Sequence, residues 1–272
     1  MTFFRTETVA AQDAARSPDL LTRLRRREID GVLVKGVYDR ATCAAVRADL
    51  EHNRHGLIRT DFPASFAAFF YGINLNLAHP DLRDYFDAAP RFAAGLDKLV
   101  PGEPGMQERL TGLMSSLDGG TRYAPAPGPQ PGTDYMFTTI RAHLPGGYIP
   151  PHFDDEQAAR PSYRLLLPLI RHKLFSFVLA FTQAQEGGAL EIFNLHPAQE
   201  GQRIAVGGRS APKPDLDAVE RVALRLQPGD MIVVNSGHFL HRVTPVVGGT
   251  VRWTACSFMA ESKAGDRVYC WG

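Results

Sequence analysis

Two side chains able to bind a metal, His152 and Asp154, stand two residues apart directly after Pro150-Pro151. On an extended backbone, residues i and i+2 point to one face, so an imidazole nitrogen and a carboxylate oxygen can converge on one point. Proline fixes its own φ and pushes the preceding residue towards extended geometry, which pre-aligns the pair. One nitrogen and one oxygen hold a metal poorly, so a third ligand has to come from elsewhere. The stretch Asn235-Ser236-Gly237-His238-Phe239-Leu240-His241 follows an apolar strand-like run, Met231–Val234, and offers two histidines. His241, at the start of the next strand-like segment, completes a set of two histidines and one carboxylate. Such a set leaves three coordination positions open and suits non-haem Fe(II). Beyond the Gly248-Gly249 turn comes Arg252, whose guanidinium fork matches a carboxylate. Thr254 lies two residues further on, on the same face.

The order H-x-D, distal His, then Arg-x-Thr across a turn resembles the Fe(II)- and 2-oxoglutarate-dependent oxygenase superfamily. The resemblance runs from Tyr135 to the C-terminus. It implies that His152, Asp154 and His241 bind iron and that Arg252, with Thr254, holds the far carboxylate of 2-oxoglutarate. It also implies a double-stranded β-helix and a reaction in which O2 and 2-oxoglutarate are consumed, succinate and CO2 are released and a C–H bond is attacked. Hydroxylation is the default outcome, with desaturation or ring closure as variants. Halogenation is disfavoured, because related halogenases replace the carboxylate ligand with a small residue to admit halide, and Asp154 is present. His238 competes with His241 for the third position. His241 better fits the family's short interval to the arginine, which leaves His238 a structural place.

The elements that must position these groups change character along the chain. Helical spacing dominates up to residue 122. Ser17-Pro18-Asp19 reads as a helix start, with Leu20, Leu21 and Leu24 as its apolar face. The neighbouring arginine run is accounted for by a solvated helix face. Gly31–Val37 reads as a strand, and Asp39 as the cap of a helix that buries Cys43, Val46 and Leu50. Residues 54–80, with Phe62, Phe66, Phe69, Phe70 and Tyr71, read as packed loops and short elements over a pocket. Two helices follow, from about Pro90 to Val100 and within Glu103–Leu117. Tyr123–Gly132, with proline at alternate positions, is an extended seam.

From 133 to 272 the pattern is one of short strands and Gly/Pro turns. Tyr135–Leu144, Ala189–Phe193, Val222–Leu226, Met231–Val234, Val251–Met259 and Arg267–Trp271 read as strands. Tyr163–Ile170 and Lys173–Thr182 read as a hairpin. The fold class expected is α+β, mainly β with N-terminal helices, on a jelly-roll core. A helical part over 1–122 packs on a catalytic core over 133–272.

Composition narrows the functional classes. Over 272 residues the net charge is +1, which advertises neither nucleic acid nor an anionic membrane. The three cysteines are scattered and odd in number, which fits a reducing cytosol, and the N-terminus shows no signal-peptide pattern. The partner expected is a small molecule; no oligomeric state is legible. The layout resembles oxygenases acting on free amino acids, including relatives of the lysine halogenases. Asp155, Glu156 and Arg141 near the motif are the candidate substrate contacts. The rival readings are a peptidyl hydroxylase, a cupin-like module binding a metal or ligand without turnover, and a zinc hydrolase or isomerase. A non-catalytic module has no need of the Arg252-x-Thr254 clamp.

Overall fold

A computed structural model describes residues 2–100, 104–197 and 215–272. The N-terminal half supplies β1 (Thr6–Ala10), α1 (Leu20–Arg25), β2 (Gly31–Lys35), α2 (Arg40–His52), β3 (Arg59–Asp61) and β4 (Ala68–Tyr71). It continues with α3 (Arg83–Leu99), α4 (Met106–Ser116) and β5 (Arg122–Pro125). Helix α2 starts as its sequence dictates. The Asp39 carboxylate accepts from the Thr42 N–H at 2.7 Å, and Cys43, Val46 and Leu50 are buried along one face. Helix α1 starts later than the Ser17-Pro18 signal. The Ser17 N–H instead closes a preceding 3-10 turn by donating to the Ala14 carbonyl. Helix α3 starts well before Pro90, which sits inside it. An internal proline costs about 3 kcal/mol. The buried stripe Tyr85, Phe86, Ala89, Phe92, Leu96 and Leu99 outweighs that cost.

The C-terminal half adds β6 (Thr139–His143), β7 (Ile149–His152), α5 (Asp154–Gln157), β8 (Phe175–Ala180), β9 (Glu186–Gly187) and β10 (Leu190–Phe193). Then come β11 (Arg221–Leu224), β12 (Met231–Val234), β13 (His241–Val243), β14 (Val246–Val247), β15 (Arg252–Glu261) and β16 (Arg267–Trp271). Two sheets form the jelly roll, which is not a closed barrel. The larger runs β1-β2-β12-β8-β15-β6-β4-β3, with β16 beside β15 and β5 beside β16; the smaller runs β11-β10-β13-β7. Strand β15 is the spine. It pairs with β8 on one edge and with β6, then β16, on the other. Every residue from Arg252 to Ala260 is buried.

The N-terminal strands are stitched into this sheet. β2 pairs with β12 and β4 pairs with β6. Trp253, on the face of β15 away from the pocket, stacks on Tyr71 of β4, with centroids 5.6 Å apart. The expected hairpin of Tyr163–Ile170 with Lys173–Thr182 does not form. Strand β8 is there, but residues 164–169 are turns, and Ile170 makes a single bridge to Ser262. Tyr163, Leu166 and Ile170 are the buried members, at near-helical spacing, and Pro168 denies the run a continuous ladder. Among the described residues no helix is long and apolar enough to cross a membrane.

Candidate metal centre and cosubstrate pocket

His152 is the last residue of β7, and Asp154 the first of α5. Phe153 between them is extended (φ −106°, ψ 137°), so the chain passes from strand into helical turn across the motif. β13 lies antiparallel to β7 with His241 opposite His152, and the two rings are cross-strand neighbours with centroids 4.3 Å apart. Asp154 Oδ1 lies 3.3 Å from His152 Nε2 and 3.6 Å from His241 Nε2. One ligand atom from each of the three residues falls within 4.8 Å of the others.

Both rings are locked in the same tautomer. His152 Nδ1 lies 2.8 Å from the Pro150 carbonyl, and His241 Nδ1 lies 3.0 Å from the Phe239 carbonyl. A carbonyl only accepts, so each Nδ1 carries a hydrogen, and in the neutral ring this leaves Nε2 as a bare lone pair. Burial, with His152 close by, pushes His241 down to about 4, so its ring is neutral at neutral pH. Burial alone would raise the Asp154 carboxyl; His241, His152 and Ser236 outweigh it and hold the group ionised.

The decisive atom is Asp154 Oδ1. It is fully buried and has no hydrogen-bond partner among the described residues. The imidazole nitrogens are near it without the alignment of a hydrogen bond. Two lone pairs and an anionic oxygen pointed at one another repel unless a cation sits between them. The donor set of two nitrogens and one carboxylate oxygen fits ferrous iron.

The pocket's floor is the inner face of β6, β15 and β8. Alternation along the strands puts Arg141 and His143 on this face beside Arg252, Thr254, Cys256 and Phe258, with Val178 and Ser176 next to them. Ile149, Leu190 and Val243 of the smaller sheet form the opposite wall. Arg252 is 7% exposed and lacks a carboxylate partner among the described residues. Its Nη1 lies 3.5 Å from His143 Nδ1. Burial pushes its guanidinium down to about 10, still charged at neutral pH. Thr254 is fully buried, and its hydroxyl lies 3.6 Å from Cys256 Sγ. A buried cation without an anion is costly, and a ligand carboxylate is its natural complement.

The three candidate substrate contacts part company. Arg141 lines the pocket, its guanidinium 5.6 Å from the ring centres of both Phe70 and Phe258, with Nε unpartnered among the described residues. Asp155 turns away: its Oδ1 accepts from the Leu174 N–H at 3.0 Å. It lines a separate cavity of about 370 Å³ with Arg25, Arg26, Arg27, Arg171 and Lys173. That cavity is the larger one but contains none of the three converging ligands. Glu156 is exposed on α5. His238 stacks on His196 with centroids 4.3 Å apart, outside the triad. His143 belongs to no motif visible in the sequence. Its signal there is its place two residues from Arg141 on a strand, which puts both on one face.

The family model described as carrier-protein-independent halogenase WelO5 matches residues 3–272. The chain belongs to this family. It is an enzyme of the Fe(II)/2-oxoglutarate-dependent oxygenase superfamily, with ferrous iron, 2-oxoglutarate and O2 as its cofactor and cosubstrates. No curated protein matches it. Among solved structures, the chain is similar to an N-substituted L-amino acid dioxygenase from Burkholderia ambifaria AMMD. The identity is 17%, 94% of this chain and 91% of that one are covered, and the TM-score is 0.59. A structure of such a dioxygenase from the same organism in complex with alpha-KG gives 16% identity, coverage of 94% and 90%, and a TM-score of 0.56. At these identities the likeness is one of fold.

Proposed function

We propose that this member of the WelO5 family hydroxylates a C–H bond of a small metabolite, a free amino acid in the first instance, and does not halogenate. The observation that carries the reading is Asp154 Oδ1, buried, ionised and aimed with two imidazole lone pairs at one point. His152, Asp154 and His241 are the iron ligands. Asp154 would occupy the position that a halogenase opens for halide, so the halogenase activity for which the family is named does not carry over. With iron bound there, 2-oxoglutarate and O2 supply oxidising power for C–H bonds, and the cosubstrate leaves as succinate and CO2.

The chain's own residues do the rest. The carbonyls of Pro150 and Phe239 hold both rings in the ligating tautomer. Arg252 and Thr254 bind the far carboxylate of 2-oxoglutarate inside the pocket, and the apolar walls exclude water from it. Arg141 binds an anionic group of the substrate. The Phe70 and Phe258 rings flank its guanidinium, and Phe62, Phe66 and Tyr148 continue the aromatic surface outward from Phe70. A carboxylate on an apolar body, as in an amino acid, matches that surface.

The test is anaerobic addition of Fe(II) and 2-oxoglutarate to the purified protein. A visible charge-transfer band is expected, followed in air by succinate release triggered by a carboxylate-bearing amino acid. Hydroxylated product is expected with or without chloride. No band, or a chlorinated product, would overturn the reading.

A further inference from the structure

His143 occupies the Arg252 end of the pocket. It is 1% exposed and lies opposite Arg252 in the β6–β15 ladder. The Arg252 guanidinium has only donors, so His143 Nδ1, at 3.5 Å, has to accept. The ring proton therefore sits on Nε2. Burial first, then Arg252 and Arg141, push this imidazole well below its ordinary range, so it stays neutral. Its Nε2–H is buried, lines the pocket and has no acceptor among the described residues. Buried donors are seldom left without an acceptor, and this one sits beside a guanidinium that also lacks an anion among the described residues.

We propose that His143 is a second anchor for the far carboxylate of 2-oxoglutarate, donating from Nε2–H while its Nδ1 accepts from Arg252. The proposal rests on the reading of Arg252 as the cosubstrate clamp. A carboxylate offers about four lone-pair sites, and a guanidinium fork occupies two of them. The remaining lobes are open to a neutral donor. A neutral imidazole adds that bond without a second buried positive charge beside Arg252.

Two ligands separate direct contact from mere support of the fold: 2-oxoglutarate, and 2-oxobutanoate, which chelates the metal but has no far carboxylate. Their affinities are measured by calorimetry on the Mn(II)-loaded protein without O2, for wild type, His143→Leu, His143→Gln, Arg252→Met and the double variant His143→Leu/Arg252→Met. His143→Leu should weaken 2-oxoglutarate about tenfold, as expected for a hydrogen bond to a charged group, and leave 2-oxobutanoate unchanged. His143→Gln, which keeps an acceptor and a donor, should recover most of the loss. The double variant should bind 2-oxoglutarate more weakly than Arg252→Met alone, because the histidine acts on the ligand and not only through the arginine. Wild-type affinity in His143→Leu, equal loss for both ligands, or no further loss in the double variant would each overturn the proposal. Wild-type affinity in Arg252→Met would instead bring down the cosubstrate reading itself.

Discussion

Replacing Arg252 by methionine should make the metal-free protein more stable while removing its response to 2-oxoglutarate. Burial has pushed the guanidinium from an ordinary value of 12.5 down to about 10. At about 1.4 kcal/mol per pH unit, keeping it charged costs the ligand-free fold roughly 3 kcal/mol. Methionine retains most of the apolar stem and removes the charge, so a gain of about 1–3 kcal/mol is expected once imperfect packing is allowed for. Unfolding entropy of about 2.1 cal/mol/K per residue, over 272 residues, converts each kcal/mol to roughly 2 °C in Tm. The metal-free variant should therefore melt about 2–5 °C higher than wild type. Wild type at 100 times its Kd for 2-oxoglutarate gains about 2.7 kcal/mol, or roughly 5 °C. The variant should show almost none of that shift. Differential scanning fluorimetry measures both quantities, the first on metal-free protein and the second with Mn(II), with and without 2-oxoglutarate. A variant that melts lower than wild type yet keeps the 2-oxoglutarate shift would refute the argument, since Arg252 would then be a structural cation with a partner inside the fold.

Asp154→Ala should lose hydroxylation by at least about 100-fold and weaken Fe(II) binding, with part of the metal affinity restored by chloride; metal content after dialysis with and without chloride reports this. The metal-free protein should lose stability as pH falls from about 7 towards 4. His241 is pushed to about 4 and burial holds His143 well below its ordinary range, so in that window the unfolded chain takes up protons that the fold refuses. The slope is of order 1 kcal/mol per pH unit for each such ring, and His143→Gln should flatten it in denaturant titrations. Gly237→Ala should damage the iron site without touching a ligand. A Cβ there would lie 2.8 Å from the Leu174 carbonyl and would strike Asp155 Oδ1. The displaced Asp155 drags Asp154 with it, so a fall in Fe(II) affinity by calorimetry is expected, at nearly unchanged helix and strand content by circular dichroism. Asp118→Ala should cost about 2 kcal/mol in urea unfolding, because it strips the half-buried Arg25 guanidinium of one of its carboxylates and the buried Tyr123 hydroxyl of its acceptor.

The chemistry was more legible in the sequence than the scaffold was. His152, Asp154, His241 and Arg252 are polar types at strand ends or beside turns, where alternation dictates which side chains share a face, and the structure gathers them around one pocket. Elements failed where two local signals conflicted. Pro90 looks like a helix start, but the stripe from Tyr85 to Leu99 carries the helix through it. Tyr163–Ile170 is apolar enough for a strand, but a run of buried residues alone does not separate a strand from packed turns. The direction of Asp155 was not legible either. One residue past Asp154 the chain enters α5, so the period changes from 2 to 3.6 and the neighbouring acid swings to the far side of the wall. His143 stayed hidden because its neighbour Arg252 arrives from more than a hundred positions away.

The stitching of β2 to β12 and of β4 to β6 constrains how this enzyme can be recombined. The loop carrying His241 leaves directly from the end of β12, and Arg141 and His143 ride on β6. An exchange of the first hundred residues for those of a relative would therefore replace the strands that fix the register of both. Crossovers placed between ladder partners should yield chimaeras that fold yet fail to charge with metal. Breakpoints at the exposed Gly248-Gly249 turn leave those ladders whole.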